Sequence, residues 1–122
     1  MSKILLVEDD ALFVKMYQKK FSHEGLNLIY AYDGEQGVKV AVSEKPDLII
    51  LDLMLPKMAG SEVLKKIKEN PSISSVPVIV LTNLSTTSDE VNRCMKMGVK
   101  EIFLKTDVTP AQIVETIKKY LQ

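Results

Sequence analysis

Several apolar runs of this 122-residue chain end at side chains that could do chemistry. These side chains are Glu8 and Asp9, Asp52, Thr82 and Lys105. Carboxylates gathered in one crevice repel one another, so such a group indicates a bound cation or a neighbouring lysine. Oxygen ligands with room for a phosphate suit Mg²⁺, while a hydroxyl and an ammonium hold phosphoryl oxygens. These residue types therefore predict phosphoryl transfer to a carboxylate.

The position of Asp52 follows from the apolar run 48–51. Leu-Ile-Ile-Leu has no polar alternation, which is typical of a parallel strand covered on both faces. Ligands of open parallel sheets bind outside the carboxyl ends of the strands, where Asp52 would lie. Taken alone, Asp52 could equally start a turn or cap a helix. The reactive groups at the other strand ends favour a functional site.

Strand-like and helical patterns alternate along the whole chain. Strands are predicted at residues 4–7, 26–32, 48–51, 76–81 and 101–104. Each is followed by a segment with apolar residues at helical spacing. Short connections and strict alternation predict one domain over residues 1–122. The expected fold class is α/β, a doubly wound (βα)5 unit whose five-stranded parallel sheet is flanked by five helices.

Three helix starts are marked by residues that accept hydrogen bonds from a first helical turn. Thr109-Pro110-Ala111-Gln112 has Thr at the N-cap, Pro at the first helical position and Gln two residues later. Thr87 and Glu90 have capping-box spacing and predict a fourth helix that runs to Gly98. Asp10 is predicted to cap the first helix rather than to bind a ligand.

Composition and charge limit the possible functional classes. Hydrophobic residues make up 46% and charged residues 26%, as in ordinary globular proteins. Sixteen basic residues balance sixteen acidic ones, so the overall charge favours neither nucleic acid nor an anionic membrane as a partner. The single cysteine, Cys94, excludes an internal disulfide, and the first apolar run is too short for a signal or membrane span. We expect a cytoplasmic protein.

The residues at the strand ends resemble a known family. They are Val7-Glu8-Asp9-Asp10, Asp52-Leu-Met-Leu-Pro56 with Gly60, Leu81-Thr82, and Lys105. This pattern is similar to that of the CheY-like receiver domains of response regulators in two-component signalling, and the similarity covers nearly the whole chain. It implies a flavodoxin-like fold with strand order 2-1-3-4-5.

The resemblance also implies a role for each matching residue. Asp52 would accept a phosphoryl group from a phosphohistidine of a sensor histidine kinase or phosphotransfer protein, or from a small phosphodonor. Asp9 would bind Mg²⁺ directly and Glu8 mainly through water, with Asp52 and the backbone carbonyl of Met54 completing the protein ligands. Lys105 and Thr82 would hold the phosphoryl group.

The implied output is a change of protein contacts. Phosphorylation would switch a face made of the fourth helix, fifth strand and fifth helix, which would bind a downstream protein. The expected state is a monomer or a phosphorylation-dependent dimer, without direct nucleic-acid or membrane binding. Such a phosphoprotein is not an enzyme in the ordinary sense, although it assists its own phosphorylation and dephosphorylation.

Several positions depart from the family pattern. Ile102 replaces an aromatic residue that receivers usually carry three positions before the lysine, so the output coupling is expected to differ. Thr106 replaces the proline that usually follows the lysine through a cis peptide, and we predict a trans Lys105-Thr106 bond. Met54 and Leu84 are apolar where residues flanking the phosphoryl group influence attack by water, which predicts slow self-dephosphorylation.

Three other functions compete with this interpretation. A receiver-like interaction module with impaired switching is compatible with Ile102 and Thr106, although the full set of site residues opposes it. A phosphatase with an aspartyl-phosphate intermediate would need a second acid near Asp52, where Met54 lies. A flavin-binding module would need a loop rich in Ser, Thr and Gly after Val7, whereas this loop is acidic.

Overall fold

The computed structural model describes residues 2–121, in which strands and helices alternate from end to end. The strands are β1 (Lys3–Val7), β2 (Asn27–Ala31), β3 (Leu48–Leu51), β4 (Val78–Thr82) and β5 (Glu101–Leu104). The helices are α1 (Ala11–His23), α2 (Gly34–Glu44), α3 (Gly60–Glu69), α4 (Asp89–Lys96) and α5 (Pro110–Leu121). The predicted sequence of elements is confirmed.

The strands form one parallel sheet in the order β2-β1-β3-β4-β5. The register brings Val7 beside Leu51 and Leu51 beside Val80, so the carboxyl ends of the central strands lie next to one another. The predicted doubly wound, flavodoxin-like fold with strand order 2-1-3-4-5 is therefore confirmed.

Successive strand side chains point to opposite faces of the sheet and pack into two separate hydrophobic cores. Leu5 and Ile49 pack with the buried faces of α2, α3 and α4. Ile4 and Ile50 pack on the opposite side of the sheet, with α1 and α5. Since both faces are covered, the central strands are apolar except for Lys3 at the start of β1 and Thr82 at the end of β4.

Two of the predicted caps are present in the structure. The Asp10 Oδ1 atom accepts hydrogen bonds from the N–H groups of Leu12 and Phe13 at 3.0 and 3.3 Å. Thr109 and Gln112 form the reciprocal capping box, in which the Gln112 N–H donates to the Thr109 hydroxyl and the Thr109 N–H to the Gln112 side chain.

The predicted start of α4 is wrong by one residue. Ser88, not Thr87, is the N-cap, and its hydroxyl accepts from the Val91 N–H at 3.2 Å. The Thr87 N–H donates instead to the Ser85 hydroxyl, and Glu90 bonds to another helix. The helix also ends at Lys96, before Gly98, which takes a positive φ of 85°.

The fourth strand begins two residues later than predicted, at Val78. Pro77 has no N–H to donate to a neighbouring strand. Its carbonyl still accepts a bond from the Ile49 N–H at 3.0 Å, so the chain joins the sheet directly after the proline. Among the described residues, no helix has the length and apolar character needed to cross a membrane.

Gly60 allows α3 to lie against the segment that follows β3. A Cβ atom at this position would stand 2.5 Å from the Leu53 Cα and 3.1 Å from the Asp52 carbonyl oxygen. Both neighbours are backbone atoms, so they give way less readily than the end of a flexible side chain. The glycine therefore controls how closely the helix approaches the backbone at Asp52.

We predict that Gly60→Ala destabilises the protein by about 3 kcal/mol, the upper part of the usual range for overpacking. Gly25→Ala is the control, because Gly25 has a φ of 71° and no atoms near its missing Cβ. Its cost should be limited to the backbone penalty of about 1 kcal/mol. Urea unfolding measures both. A Gly60 variant no less stable than the Gly25 variant would contradict the proposed close packing.

Candidate functional site

The structure brings three predicted acids together at the carboxyl edge of the sheet. One oxygen each from Glu8, Asp9 and Asp52 lies within 4.8 Å of the others. Glu8 and Asp52 are buried, whereas Asp9 is exposed. The three acids come from the ends of β1 and β3, which are adjacent strands.

Asp52 is held by the continuing strand ladder and by its own loop. Its N–H donates to the Val7 carbonyl at 3.1 Å, which extends the pairing of β1 and β3 by one residue. Its Oδ1 accepts from the Met54 N–H at 3.2 Å, so the carboxylate also shapes the turn behind it. Its Oδ2 accepts from the Lys105 ammonium at 3.0 Å.

Lys105 lies between the two buried acids. Its ammonium is 2.5 Å from the Glu8 Oε1 and 3.0 Å from the Asp52 Oδ2. It also lies 4.5 Å from the centre of the Phe13 ring, where a cation interacts favourably with the aromatic face. Burial alone would lower the pKa of Lys105, but its hydrogen bonds and charge interactions with Glu8 and Asp52 outweigh burial and raise it. Lys105 therefore keeps its positive charge.

Glu8 has a carboxyl group that is buried beside two other charged groups. Its side chain is 1% exposed, and burial raises the pKa of its carboxyl from 4.5 to about 7. The Lys105 ammonium and the Asp10 N–H, which donates to Oε2 at 3.1 Å, lower this pKa only in part. The negative charge of Asp52 raises it further.

Thr82 ends β4 and is fully buried. Its carbonyl accepts from the Lys105 N–H at 2.9 Å, which ties the ends of β4 and β5 together. Its hydroxyl accepts from the Leu84 N–H at 3.3 Å and so contacts the loop that leads to α4. The Met54 side chain is 54% exposed, whereas Leu84 is partly buried against the core.

The structure bears on two of the departures from the family pattern. The described residues contain no cis peptide bond, so the predicted trans Lys105-Thr106 bond is confirmed. Ile102 packs against the core under α4, while Phe103 packs on the opposite side of the sheet. The neighbouring aromatic residue therefore does not take the place of the missing one.

Two residues near the site were not predicted from the sequence. Phe13 lies under the Lys105 ammonium, although its helical spacing indicated only a core position. Glu90 faces the same open groove as Asp9 and Met54, instead of capping its own helix. No local sequence pattern indicates either contact, because both join segments far apart in the chain.

The three acids form a set that fits a small divalent cation. They offer oxygen ligands only, and the buried Oε1 atom of Glu8 has the Lys105 ammonium as its partner. Hard cations such as Mg²⁺ prefer such oxygen ligands and retain waters on their open side. The exposed Asp9 would leave that open side toward solvent.

Sequence comparisons identify relatives over most of the chain. The family model described as the response regulator receiver domain matches residues 4–118. The polar-differentiation response regulator DivK of Brucella anthropi is 30% identical over 118 residues, covering 97% of this chain and 94% of the relative. Response regulator ArlR of Staphylococcus aureus is 41% identical over 91 residues, or 75% of this chain and 40% of ArlR. The matched region is thus less than half of ArlR.

Solved structures give the same similarity in three dimensions. The BeF3-activated N-terminal receiver domain of Klebsiella pneumoniae RstA has a TM-score of 0.87 and 25% identity, with 99% of each chain covered. A CheY-like response regulator receiver domain protein from Methanospirillum hungatei JF-1 has a TM-score of 0.88 and 25% identity, covering 99% of this chain and 94% of the other.

The raised pKa of Glu8 predicts a pH dependence of stability without metal. Between pH 4.5 and about 7, the folded chain retains a proton that the unfolded chain releases. Stability should therefore fall as pH rises through this range, by about 3 kcal/mol at most. Urea unfolding in buffer with a chelator should show that Glu8→Gln removes much of this fall.

The matched control is Glu62→Gln, because Glu62 is an exposed acid in the first turn of α3. This variant should keep the pH profile of the unaltered protein. Parallel profiles for Glu8→Gln and the unaltered chain would show that burial does not hold a proton on Glu8.

Proposed function

This chain belongs to the response-regulator receiver domains, and we propose that it acts as the phosphoacceptor of a two-component system. Asp52 would receive the phosphoryl group from a phosphohistidine of a sensor histidine kinase or phosphotransfer protein. It would do so as a signalling domain that assists its own phosphorylation and dephosphorylation, not as an enzyme that turns over a separate substrate.

One observation carries this proposal. The Asp52 carboxylate lies within 4.8 Å of two further acids and accepts a hydrogen bond from a partly buried lysine at 3.0 Å. A carboxylate so placed has one oxygen paired with a cation and neighbours that could hold a metal. Phosphoryl transfer requires mainly such positioning and charge neutralisation from a protein.

The chain's own residues supply most of the mechanism. Glu8, Asp9, Asp52 and the Met54 carbonyl would hold Mg²⁺, which neutralises charge on the phosphoryl oxygens when bound. Asp52 would attack phosphorus with one carboxylate oxygen, and the bond from phosphorus to the donor's imidazole nitrogen would break. Lys105 would balance the negative charge that remains after transfer, because its ammonium already contacts Asp52.

Thr82 would change its hydrogen bonding when Asp52 is phosphorylated. Its hydroxyl now accepts from the Leu84 N–H, so a turn toward a phosphoryl oxygen would change the geometry of the loop 83–88. That loop leads directly into α4. The change would shift an existing equilibrium of the face made by α4, β5 and α5. A downstream protein that binds this face would read the signal.

Ile102 places an aliphatic side chain on this face, at the position where receivers usually carry an aromatic residue. It lines an open groove between α4 and β5 together with Val91 and Met95. A partly buried isoleucine has no hydroxyl whose hydrogen bonding could change on activation. The coupling would then depend on movement of α4 and its loop, and a receiver-like interaction module with impaired switching is the second candidate function.

The phosphatase alternative has less support. Such an enzyme needs an acid or base beside the phosphorylated aspartate to release the leaving group and activate water. The residue two positions after Asp52 is Met54, which is largely exposed and offers no proton.

We predict that incubation with Mg²⁺ and acetyl phosphate adds one phosphoryl group to the protein, at Asp52. Intact mass spectrometry and peptide mapping after borohydride trapping measure the modification and its position. Removal of Mg²⁺ with a chelator should abolish labelling, because no metal ion would then neutralise the negative charge of the acid cluster and of the phosphodonor.

Asp52→Asn should remain unlabelled. Asp107→Asn is the control, since Asp107 is an exposed acid two residues beyond Lys105 and should not affect labelling. An unchanged intact mass of the unaltered chain, or modification at another residue, would refute the proposed phosphoacceptor role.

A second prediction concerns the lifetime of the phosphorylated protein. Met54→Asn combined with Leu84→Lys should accelerate loss of the phosphoryl group, because polar side chains can orient the attacking water. We expect the rate of dephosphorylation to increase about tenfold, which is less than the usual effect of general acid–base catalysis. The decay is followed by intact mass after removal of the donor.

Met95→Asn serves as a control for the chemical change itself. Met95 is 58% exposed, close to the exposure of Met54, but it lies on α4. Its replacement should leave the decay rate unchanged. Equal decay rates in the double variant and the unaltered protein would show that Met54 and Leu84 do not limit hydrolysis.

A further inference from the structure

The first turn of α3 lacks a cap from its own segment. Its N-cap residue is Ala59, which has no side-chain acceptor for the free N–H groups of the turn. The Gly60 N–H donates to the Leu53 carbonyl, and those of Glu62 and Val63 donate to the Ala59 carbonyl. The Ser61 N–H is the donor in this turn that these backbone carbonyls leave unpaired.

Glu90 of α4 supplies the missing acceptor from 29 residues away. Its Oε2 accepts from the Ser61 N–H at 2.9 Å, and its Oε1 accepts from the Ser61 hydroxyl at 2.6 Å. The Arg93 guanidinium, 3.3 Å from Oε1, steadies the carboxylate. Such a two-point bond from a charged group to a helix N-terminus is stronger than an ordinary surface contact.

The two joined helices connect to opposite sides of the phosphorylation site. The turn containing Ser61 directly follows Gly60, which packs on the backbone of Asp52 and Leu53. Glu90 lies two residues after Ser88, where the loop from Thr82 ends. The bond between Glu90 and Ser61 therefore links the segment that follows Asp52 to the segment that follows Thr82.

Other contacts hold α4 weakly. It is eight residues long, the shortest of the five helices, and its buried residues are Val91 and Cys94 alone. A short helix with a small apolar face is easily displaced. The bond from Glu90 to Ser61 therefore adds to the few contacts that hold the first turn of α4.

We propose that Glu90 is a positioning residue. By capping α3 in place of Ala59, it holds α4 in the position that this helix has when Asp52 is not phosphorylated. The inference rests on the proposed function, since it requires that loading of Asp52 draws the Thr82 loop inward. That movement would pull Ser88 and the first turn of α4, and so would strain the bond from Glu90 to Ser61.

Linkage gives the direction of the expected effect. If loading of the site weakens this cap, then the cap opposes loading by the same free energy. Loss of the cap should therefore raise the affinity of the site for a phosphoryl analogue. A purely structural role predicts lower thermal stability without any gain in affinity.

The test is titration of the full chain with beryllofluoride and Mg²⁺, followed by nuclear magnetic resonance of the backbone amides. Beryllofluoride is suitable because it activates the RstA receiver domain of the same family. The variants are Glu90→Ala, Glu90→Gln and Ser61→Ala. Asp89→Ala is the matched control, since Asp89 is also an acid in the first turn of α4 but is exposed.

Glu90→Ala should bind beryllofluoride about fivefold more tightly than the unaltered chain, at the low end of typical couplings. Its Ser61 amide should also exchange with solvent faster. Ser61→Ala keeps the amide bond and Glu90→Gln keeps one acceptor oxygen, so both should show smaller gains. Asp89→Ala should match the unaltered chain. Ser61→Ala alters a partly exposed helical position and provides the test if Glu90→Ala unfolds.

Two negative outcomes are distinguishable. Equal or weaker binding by folded Glu90→Ala or Ser61→Ala, with normal binding by the unaltered chain, would overturn the role of Glu90 alone. Failure of the unaltered chain to bind beryllofluoride with Mg²⁺ would overturn the proposed function and this inference with it.

Discussion

The site depends on a single ammonium group shared by two buried carboxylates. Lys105 contacts both Glu8 and Asp52, neither of which has appreciable exposure to water. Removing the partner of a buried charged group is strongly destabilising, so the three side chains must stay together in the folded protein. This requirement joins the ends of β1, β3 and β5 into one arrangement, with the Phe13 ring from α1 against its side.

The pleat of the sheet divides the site into two parts. Glu8, Asp52 and Lys105 each follow by two residues a side chain that packs with α1 and α5. Thr82 instead follows Val80, which packs on the side of α4. Because strand residues alternate between faces, the charged groups lie toward α1 and the Thr82 hydroxyl lies toward the loop before α4. The proposed transfer step and the proposed response thus lie on different faces of the same sheet edge.

Local signals failed where a side chain had two possible partners. Thr87 and Glu90 have the spacing of a capping box, yet Ser88 caps α4 and Glu90 bonds to Ser61. The sequence does not show that Ala59 leaves an N–H group of α3 in need of an acceptor. Only the packing of α3 against α4 brings that donor within reach of Glu90, and a charged bond at two points is favoured over a local one.

The sequence alone determined the order of strands and helices along the chain, because the central strands are almost entirely apolar and the helices have their own apolar periodicity. It also predicted that Glu8, Asp9, Asp52, Thr82 and Lys105 lie at one edge of the sheet, since each is at the end of a strand or within two residues of it. Tertiary structure decided the rest: the pairing of Lys105 with Glu8 as well as Asp52, the aromatic ring of Phe13 beside it, and the cap of α3 from α4. These contacts join residues far apart in the chain, and their geometry depends on the register and packing of whole elements rather than on any local pattern.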